Sequence, residues 1–202
     1  MILDLLTDSG TNTLTQDQIK FKNWYLSAVS PIQINAYAGL TPKLHLNDLI
    51  KMIFGEQFNF NLALQGRAAE KLILGALCGA KVLQAGDKIL SNRPFDTTKG
   101  QIQIRGLEVE ALTPISTPQA FINAESVFMG NLKVSDLEKH PLESYNTILL
   151  TMTDNGSGGQ PVSMSNVKEV AAFARKNNKL FWIDGCRIFE NAAFIKAFEP
   201  EY

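Results

Sequence analysis

An acid and a base stand three residues apart, directly after an apolar run near the end of the chain. Asp184 follows the run from Leu180 to Ile183, and Gly185 and Cys186 separate it from Arg187. The run has the composition of a buried strand of a parallel sheet, and open α/β sheets bind their ligands at the carboxyl ends of such strands. There a carboxylate could cap the following helix, pair with the arginine, or hold the cationic ring nitrogen of a cofactor. This motif alone leaves the three alternatives open.

A second apolar run, from Asn146 to Thr153, predicts another buried strand, and a glycine-rich loop follows it. Glycine allows the backbone to come close to a bound group. Asn155 follows its strand much as Asp184 follows the other one. Apolar residues at helical spacing then predict a helix over 163–177. Strand, helix and strand together indicate a βαβ unit with parallel strands.

A third arrangement that could do chemistry begins with a predicted strand around Phe60 to Leu64. Gln65-Gly66-Arg67 follows it, and a helix then runs to about Cys78. The free N–H groups at the start of a helix can bind phosphate. The turn contains neither a Walker lysine nor GxGxxG, so neither a nucleoside triphosphate nor a dinucleotide is indicated.

The remaining elements must position these motifs. Periodicity predicts a helix over Leu46–Phe54, two short strands at Lys81–Gln84 and Lys88–Asn92, and a bent strand over Ile102–Leu112. The loop from Phe95 to Thr98 follows the second short strand. Its phenylalanine could stack on a flat ring or simply pack on the scaffold.

Composition and charge exclude several classes of function. The 202 residues are 45% hydrophobic with a net charge of −1 and no basic block, so a nucleic-acid footprint is missing. Cys78 and Cys186 lie far apart without CxxC spacing, which argues against a disulfide framework or a zinc site. No run is long enough to span a bilayer. These features predict a cytoplasmic protein with no nucleic-acid partner, no membrane contact and no metal.

Six motifs occur in an order that resembles the β-eliminating lyases, the family of tryptophanase and tyrosine phenol-lyase. They cover nearly the whole chain: Thr7-Asp8-Ser9-Gly10-Thr11-Asn12, Tyr37-Ala38-Gly39, Gln65-Gly66-Arg67, Phe95-Asp96-Thr97-Thr98, Gly158-Gly159-Gln160-Pro161-Val162-Ser163-Met164, and the segment from Asp184 to Lys196. The resemblance implies the large-domain core of the aspartate aminotransferase-like fold (fold type I), a three-layer α/β/α structure with a mainly parallel mixed sheet. Residues 1–202 would form one such fragment.

The resemblance also implies the cofactor pyridoxal 5′-phosphate (PLP) and a role for each matching residue. Gly66 and Arg67, with Gln65 beside them, would bind the cofactor phosphate, and Phe95 would stack on the ring. Asn155 and Arg187 would bond the ring hydroxyl oxygen. Asp184 would keep the ring nitrogen protonated, and a protonated ring withdraws electrons from the substrate α-carbon.

For the substrate, the resemblance implies that Thr7 and Ser9 hold the carboxylate. Tyr37 would protonate the departing aromatic group across a subunit interface, in a dimer or tetramer. Asp96 follows the tryptophanase pattern, whereas the phenol-lyase has threonine there. The implied reaction splits an aromatic L-amino acid, most simply tryptophan, into indole, pyruvate and ammonia.

Three departures from the family pattern lead to further expectations. Asn35 stands where the family has its cation-binding glutamate, so the resemblance does not extend to the potassium site. The pattern extends beyond both ends of the chain. The lysine that binds the cofactor covalently and the small domain belong to the later part, so we expect no turnover from residues 1–202 alone. Two alternatives remain: a non-catalytic remnant that binds PLP or pairs subunits, and a nucleotide-binding α/β module using the loop from Asp154 to Gly159.

Overall fold

The computed structural model describes residues 40–58, 61, 63–113 and 127–202. The chain divides into two compact units, residues 1–65 and 66–202. In the first unit, helix α1 runs over Leu40–Phe54 and buries Leu49 and Ile50. It begins earlier than the predicted Leu46. The proline at position 42 is compatible with this start, since it lies in the first helical turn, where a backbone N–H is not needed.

A parallel sheet of four strands forms the centre of the second unit. The strands are β1 (Lys88–Ser91), β2 (Glu108–Ala111), β3 (Thr147–Thr151) and β4 (Leu180–Asp184), in the spatial order β2-β1-β3-β4. All three strand pairings are parallel. The predicted parallel sheet is therefore confirmed.

In the part of the chain that the structure describes, five further helices flank this sheet. They are α2 (Gly66–Gly79), α3 (Asp96–Gln103), α4 (Val134–Leu137), α5 (Met164–Lys176) and α6 (Ile188–Phe198). Two 3-10 helices, Leu142–Ser144 and Asn155–Ser157, precede and follow β3. Helix α5 joins β3 to β4, as the predicted βαβ unit requires.

Side chains that alternate along β1 and β3 build two separate cores, one on each face of the sheet. Ile89 and Leu149 pack on one face with Leu74 of α2 and Ile102 of α3. On the other face, neighbouring strand residues pack with α4 and α5, in the cluster Leu90, Leu137, Ile148, Leu150, Val170 and Ala174. Helices thus cover both faces, which confirms the predicted three-layer α/β/α arrangement.

Strand β3 is buried at all five positions, as predicted. Strand β4 is only half-buried, because it lies at an edge of the sheet that the structure describes, and Ile183 is 38% exposed. The expectation of a buried strand before Asp184 is therefore met only in part.

Of the predicted strands, one is absent and one is shorter than predicted, because in each case the chain first returns from a helix to the sheet. Lys81–Gln84 contains no strand, since the backbone at Lys81 has a φ of 58° and reverses the chain after α2. In the predicted strand Ile102–Leu112, helix α3 continues to Gln103, and Gly106, with a φ of 70°, turns the chain into the short β2. Both returns bury a leucine, Leu83 or Leu107, in the same core. Those buried leucines gave both segments the apolar pattern of a strand.

Residues 61, 63 and 64, which are the described part of the strand predicted around Phe60 to Leu64, are not in a strand. Among the helices that the structure describes, none combines the length and the apolar content needed to cross a bilayer.

Candidate functional site

The carboxyl ends of β1, β3 and β4 meet at one edge of the sheet, because the three strands are parallel neighbours. Two backbone hydrogen bonds tie together the segments that follow β3 and β4. The N–H of Met152 donates to the carbonyl of Asp184 at 2.8 Å, and the N–H of Arg187 donates to the carbonyl of Met152 at 3.2 Å. The sheet thus brings the segments carrying Asn155, Asp184 and Arg187 to the same edge, as the sequence predicts.

Asp184 is the last residue of β4, and its carboxyl group makes two long polar contacts. Its Oδ2 lies 3.3 Å from the hydroxyl of Thr98, and its Oδ1 lies 3.4 Å from the N–H of Cys186. Burial raises the pKa of this carboxyl, and the charge of Glu70 raises it further, although the hydrogen bonds oppose both effects. No cationic side chain among the described residues forms an ion pair with it.

Glu70, on the second turn of α2, connects that helix to the start of α3. Its Oε1 accepts hydrogen bonds from the hydroxyls of Thr97 at 2.8 Å and Thr98 at 2.9 Å. Its Oε2 is buried and has no partner among the described residues. Since the Thr98 hydroxyl also contacts Asp184, two carboxyl groups share one hydroxyl at this edge.

The first turn of α2 contains Gly66 and Arg67, and both residues are exposed. A side-chain carbon added at Gly66 would meet no atom within 4 Å, so the space before this turn is open. Gln65 immediately precedes the helix and is also exposed. The free N–H groups of such a first turn can bind a phosphate, with a guanidinium beside them.

Phe95 and Asp96 begin helix α3 and do not form the loop that the sequence predicts. Phe95 is half-buried and extended at the N-cap position, and Asp96 is exposed in the first helical turn. The helix starts here because the acid in the first turn offsets the helix dipole. The effect is to bring Thr98, three residues into the helix, against Asp184.

A buried acid fixes the glycine-rich loop after β3. Asp154 is fully buried; its carboxylate accepts from the N–H of Ser157 at 3.2 Å and lies 3.7 Å from the guanidinium of Arg93. Gly158 and Gly159 have φ values of 83° and 79°, a conformation that glycine adopts without strain. Asn155 is half-buried at the start of the 3-10 helix in this loop.

Arg187 is exposed at the N-cap position of α6. Burial raises the pKa of the neighbouring Cys186 thiol, and the charge of Asp184 raises it further, whereas Arg187 lowers it. The thiol is therefore neutral at physiological pH and adds no negative charge beside Asp184.

Four residues singled out by the sequence, Thr7, Ser9, Asn35 and Tyr37, lie outside the described residues. The sequence analysis did not identify three further residues that contact the segments forming the site: Glu70, Asn92 and Arg93. Glu70 had one signal, an acid three residues after Arg67 in the opening of a helix. The other two follow β1 and contact residues far along the chain, which no local pattern reveals.

Together, the fold and the site define an α/β protein with a candidate ligand site at the carboxyl edge of a parallel sheet. The family model described as "Beta-eliminating lyase" matches residues 4–201. The chain belongs to this family, and the family that the sequence resembles is therefore confirmed.

The chain is similar to the tryptophanase of Hyphomonas neptunium, with 36% identity over 97% of this chain and 40% of that protein. It is 37% identical to a probable β-eliminating lyase of Trichomonas vaginalis, over 99% of this chain and 41% of that protein. The chain thus spans about two-fifths of the length of these relatives. Among solved structures, an aromatic aminotransferase from Pyrococcus horikoshii aligns over 68% of this chain and 34% of its own, with 14% identity and a TM-score of 0.46.

Proposed function

We propose that this chain binds PLP at the carboxyl edge of the sheet, as the cofactor-binding part of a β-eliminating lyase that acts on an aromatic L-amino acid. The observation that carries the proposal is the carboxyl group of Asp184, which is largely withdrawn from water and has no cationic partner among the described residues. A buried carboxylate of this kind favours a bound cation, and a protonated ring nitrogen would supply one.

The surrounding residues fit the rest of the cofactor. The open first turn of α2, with Gly66, Arg67 and the preceding Gln65, offers N–H groups and a cation for a phosphate. Phe95 is half-buried at the N-cap position of α3, and a flat heterocycle could stack on its ring. Asn155 and Arg187, at the ends of neighbouring strands, would donate to the ring hydroxyl oxygen.

When bound, PLP supplies an electron-withdrawing ring that stabilises negative charge at the substrate α-carbon. The task of Asp184 is to keep the proton on the ring nitrogen, because the neutral ring withdraws electrons less strongly. Burial makes the Asp184 carboxyl costly to ionise alone. Burial also strengthens the attraction between opposite charges, so Asp184 would hold a proton on a bound ring nitrogen.

The substrate assignments follow the family resemblance. Thr7 and Ser9 would hold the substrate carboxylate, and Tyr37 of a neighbouring subunit would protonate the leaving group. Asp96, which follows the tryptophanase pattern, favours tryptophan as the substrate, giving indole, pyruvate and ammonia. A homo-oligomer and a cytoplasmic location remain predictions, and we propose no potassium site at Asn35.

The nucleotide-binding alternative is disfavoured by the loop on which it depends. The loop from Asp154 to Gly159 does not open a helix, because Gln160 pairs back to Asp154 and helix α5 begins later, at Met164. The N–H groups at the start of α5 donate to the carboxylate of Glu199. A nucleotide phosphate would be repelled by that carboxylate.

Binding of PLP to the purified chain tests the proposal. Isothermal titration with PLP should give saturable binding, and Asp184→Asn should weaken it about tenfold or more, the equivalent of roughly 1.4 kcal/mol. The exposed Asp48 offers a matched control, since Asp48→Asn removes one carboxylate away from the site. Equal affinities of the Asp184→Asn variant and the control would contradict the proposal, as would binding of ATP or NAD in place of PLP.

A turnover assay distinguishes a β-eliminating lyase from the non-catalytic, PLP-binding remnant. Incubation of the complete gene product with PLP and L-tryptophan or L-tyrosine should release indole or phenol together with pyruvate if it is a lyase. Binding of PLP without release of any of these products would favour the non-catalytic, PLP-binding remnant.

A further inference from the structure

A pair of carboxyl groups bridged by one hydroxyl lies at the edge of the sheet. Glu70 on α2 and Asp184 on β4 both contact the hydroxyl of Thr98, at 2.9 Å and 3.3 Å. The Thr98 hydroxyl is buried and carries a single proton, so it can donate fully to only one of the two acids at a time. The protonation states of the two acids are therefore linked.

The two contacts differ in length, and the shorter one joins the hydroxyl of Thr98 to Glu70. Both Thr97 and Thr98 donate to the same oxygen of Glu70. Asp184 receives the longer contact, and the charge of Glu70 raises the pKa of Asp184 in addition to the effect of burial. The Thr98 hydroxyl therefore bonds more closely to Glu70 than to Asp184.

We propose that Glu70 is a positioning residue for Asp184. Through the hydroxyl of Thr98 it fixes the Asp184 carboxyl at the sheet edge, and its charge adds to that of Asp184 to hold a proton on a bound pyridine nitrogen. This inference rests on the proposed function for the identity of the ring, but the coupling of the two acids can be measured without any ligand.

The groups that bear on Asp184 are few. Glu70 faces it from α2 and Thr98 from α3, and the N–H of Cys186 contacts it from its own segment. The Cys186 thiol beside it is neutral, and Arg187 and Glu190 act on that thiol. Burial has the largest effect on the pKa of Asp184, and Glu70 is the acid whose charge raises it further.

Two isosteric substitutions should move the pKa of Asp184 in opposite directions. Glu70→Gln keeps an oxygen that can accept from both threonines but removes the charge, so the pKa of Asp184 should fall by about one unit. Thr98→Val removes the shared donor and keeps the charge, so the pKa should rise. A residue that only supports the fold would not produce opposite shifts.

The titration is read from the carboxyl carbon of Asp184 by NMR in the unliganded chain labelled with carbon-13 aspartate, with Asp184→Asn to assign the signal. Glu169→Gln is the matched control, because it removes an exposed carboxylate from α5. Circular dichroism checks that each variant is folded. If Glu70→Gln moves the pKa of Asp184 no more than the control does, the coupling is wrong.

A second readout uses pyridoxine 5′-phosphate, which has the ring and phosphate but no aldehyde. Its ring nitrogen, observed by nitrogen-15 NMR, should stay protonated to a higher pH when bound to the wild-type chain than when bound to Glu70→Gln, by about one unit. An unchanged ring pKa in the variant would overturn the role of Glu70. The wild-type chain could instead fail to bind the compound while Glu70→Gln still shifts the pKa of Asp184. In that case the coupling between Glu70 and Asp184 is correct, but the proposed function and the assignment to a ring nitrogen are wrong.

Discussion

The side chain of Asn92 pairs with the backbone of Thr151 as a neighbouring strand would. Its amide oxygen accepts from the N–H of Thr151 at 2.9 Å, and its amide nitrogen donates to the carbonyl of Thr151 at 3.0 Å. The same nitrogen donates to the carbonyl of Gly130 at 2.9 Å. Backbone pairing between β1 and β3 ends at Ser91 and Leu149, so this side chain extends the connection towards the site.

Asn92→Ala should therefore destabilise the chain by roughly 2 to 4 kcal/mol, because the N–H and carbonyl of Thr151 and the carbonyl of Gly130 all lose a buried partner. Urea unfolding followed by circular dichroism measures the loss. The control is Gln103→Ala at the exposed end of α3, which should stay within about 0.5 kcal/mol of wild type. A similar midpoint for the two variants would refute the structural role of Asn92.

The second prediction concerns the ion pair of Arg93 and Asp154 beneath the glycine-rich loop. Burial raises the pKa of Asp154, while Ser157 and the charge of Arg93 lower it. Arg93→Met removes the cation and leaves a buried carboxylate, so it should cost roughly 2 to 4 kcal/mol at neutral pH. A raised folded-state pKa means that stability falls as pH rises through it. The deficit of Arg93→Met should therefore shrink in acid, where Asp154 is protonated.

Urea midpoints measured from pH 4 to pH 8 test this sign. The double variant Arg93→Met with Asp154→Asn should recover part of the loss at neutral pH, since the unpaired charge is gone. Arg175→Met removes an exposed cation near the end of α5 and should show neither effect. A deficit that does not change with pH would contradict the ion-pair explanation.

Local patterns predicted the sheet well where each strand is surrounded by other elements. The apolar run of β3 and the helical spacing of α5 were sufficient, because burial on both faces leaves a clear signal in the sequence. The pattern failed at Lys81–Gln84, where buried Leu83 serves the core from a turn. Apolar residues reveal burial, but they do not distinguish a strand from a return loop.

The contacts that shape the site could not be predicted from the sequence, because they connect distant residues. Asn92 pairs with Thr151, Asn191 with Val162 and Asn166 with Leu132, at sequence separations of 59, 29 and 34 residues. The side-chain amide of each asparagine accepts from the backbone N–H and donates to the backbone carbonyl of the same partner residue. In the sequence such residues resemble ordinary loop or helix asparagines, and only the sheet order brings their partners into reach.

The third prediction concerns Gly130, whose backbone packs against the segment that ends the glycine-rich loop. A side-chain carbon there would lie 2.5 Å from the carbonyl oxygen of Gln160 and 2.9 Å from that of Pro161. Both atoms belong to the backbone, and the N–H of Gly130 donates to the second of them. Gly130→Ala should therefore destabilise the chain by roughly 1 to 3 kcal/mol.

The matched control is Gly100→Ala in α3, where an added carbon meets no atom within 4 Å. That substitution should stabilise the chain by roughly 0.5 to 1 kcal/mol, because alanine favours a helix over glycine. Thermal or urea midpoints measure both variants. Equal shifts of the unfolding midpoint in the same direction for both variants would show that the close backbone approach at Gly130 does not cause the loss of stability.

The last prediction concerns Glu199, which lies just after α6 and binds the start of α5. Its carboxylate accepts from the N–H of Met164 at 2.6 Å, the N–H of Ser165 at 3.3 Å and the hydroxyl of Ser165 at 2.6 Å. Burial opposes its ionisation, but these hydrogen bonds and nearby Lys168 dominate and lower its pKa. The negative charge also lies at the positive end of the α5 dipole.

A lowered folded-state pKa means that this carboxylate stabilises the fold above its unfolded pKa and that the stabilisation is lost as pH falls through the folded value. Glu199→Gln should therefore cost roughly 1 to 2 kcal/mol at pH 7, and the difference from wild type should close as pH falls through the lowered folded-state pKa. Urea unfolding at pH 7, 5 and 3 measures the difference. Glu201→Gln, two residues further along and exposed, should match wild type throughout. If the Glu199→Gln deficit persisted undiminished at pH 3, charge would not be what stabilises the start of α5.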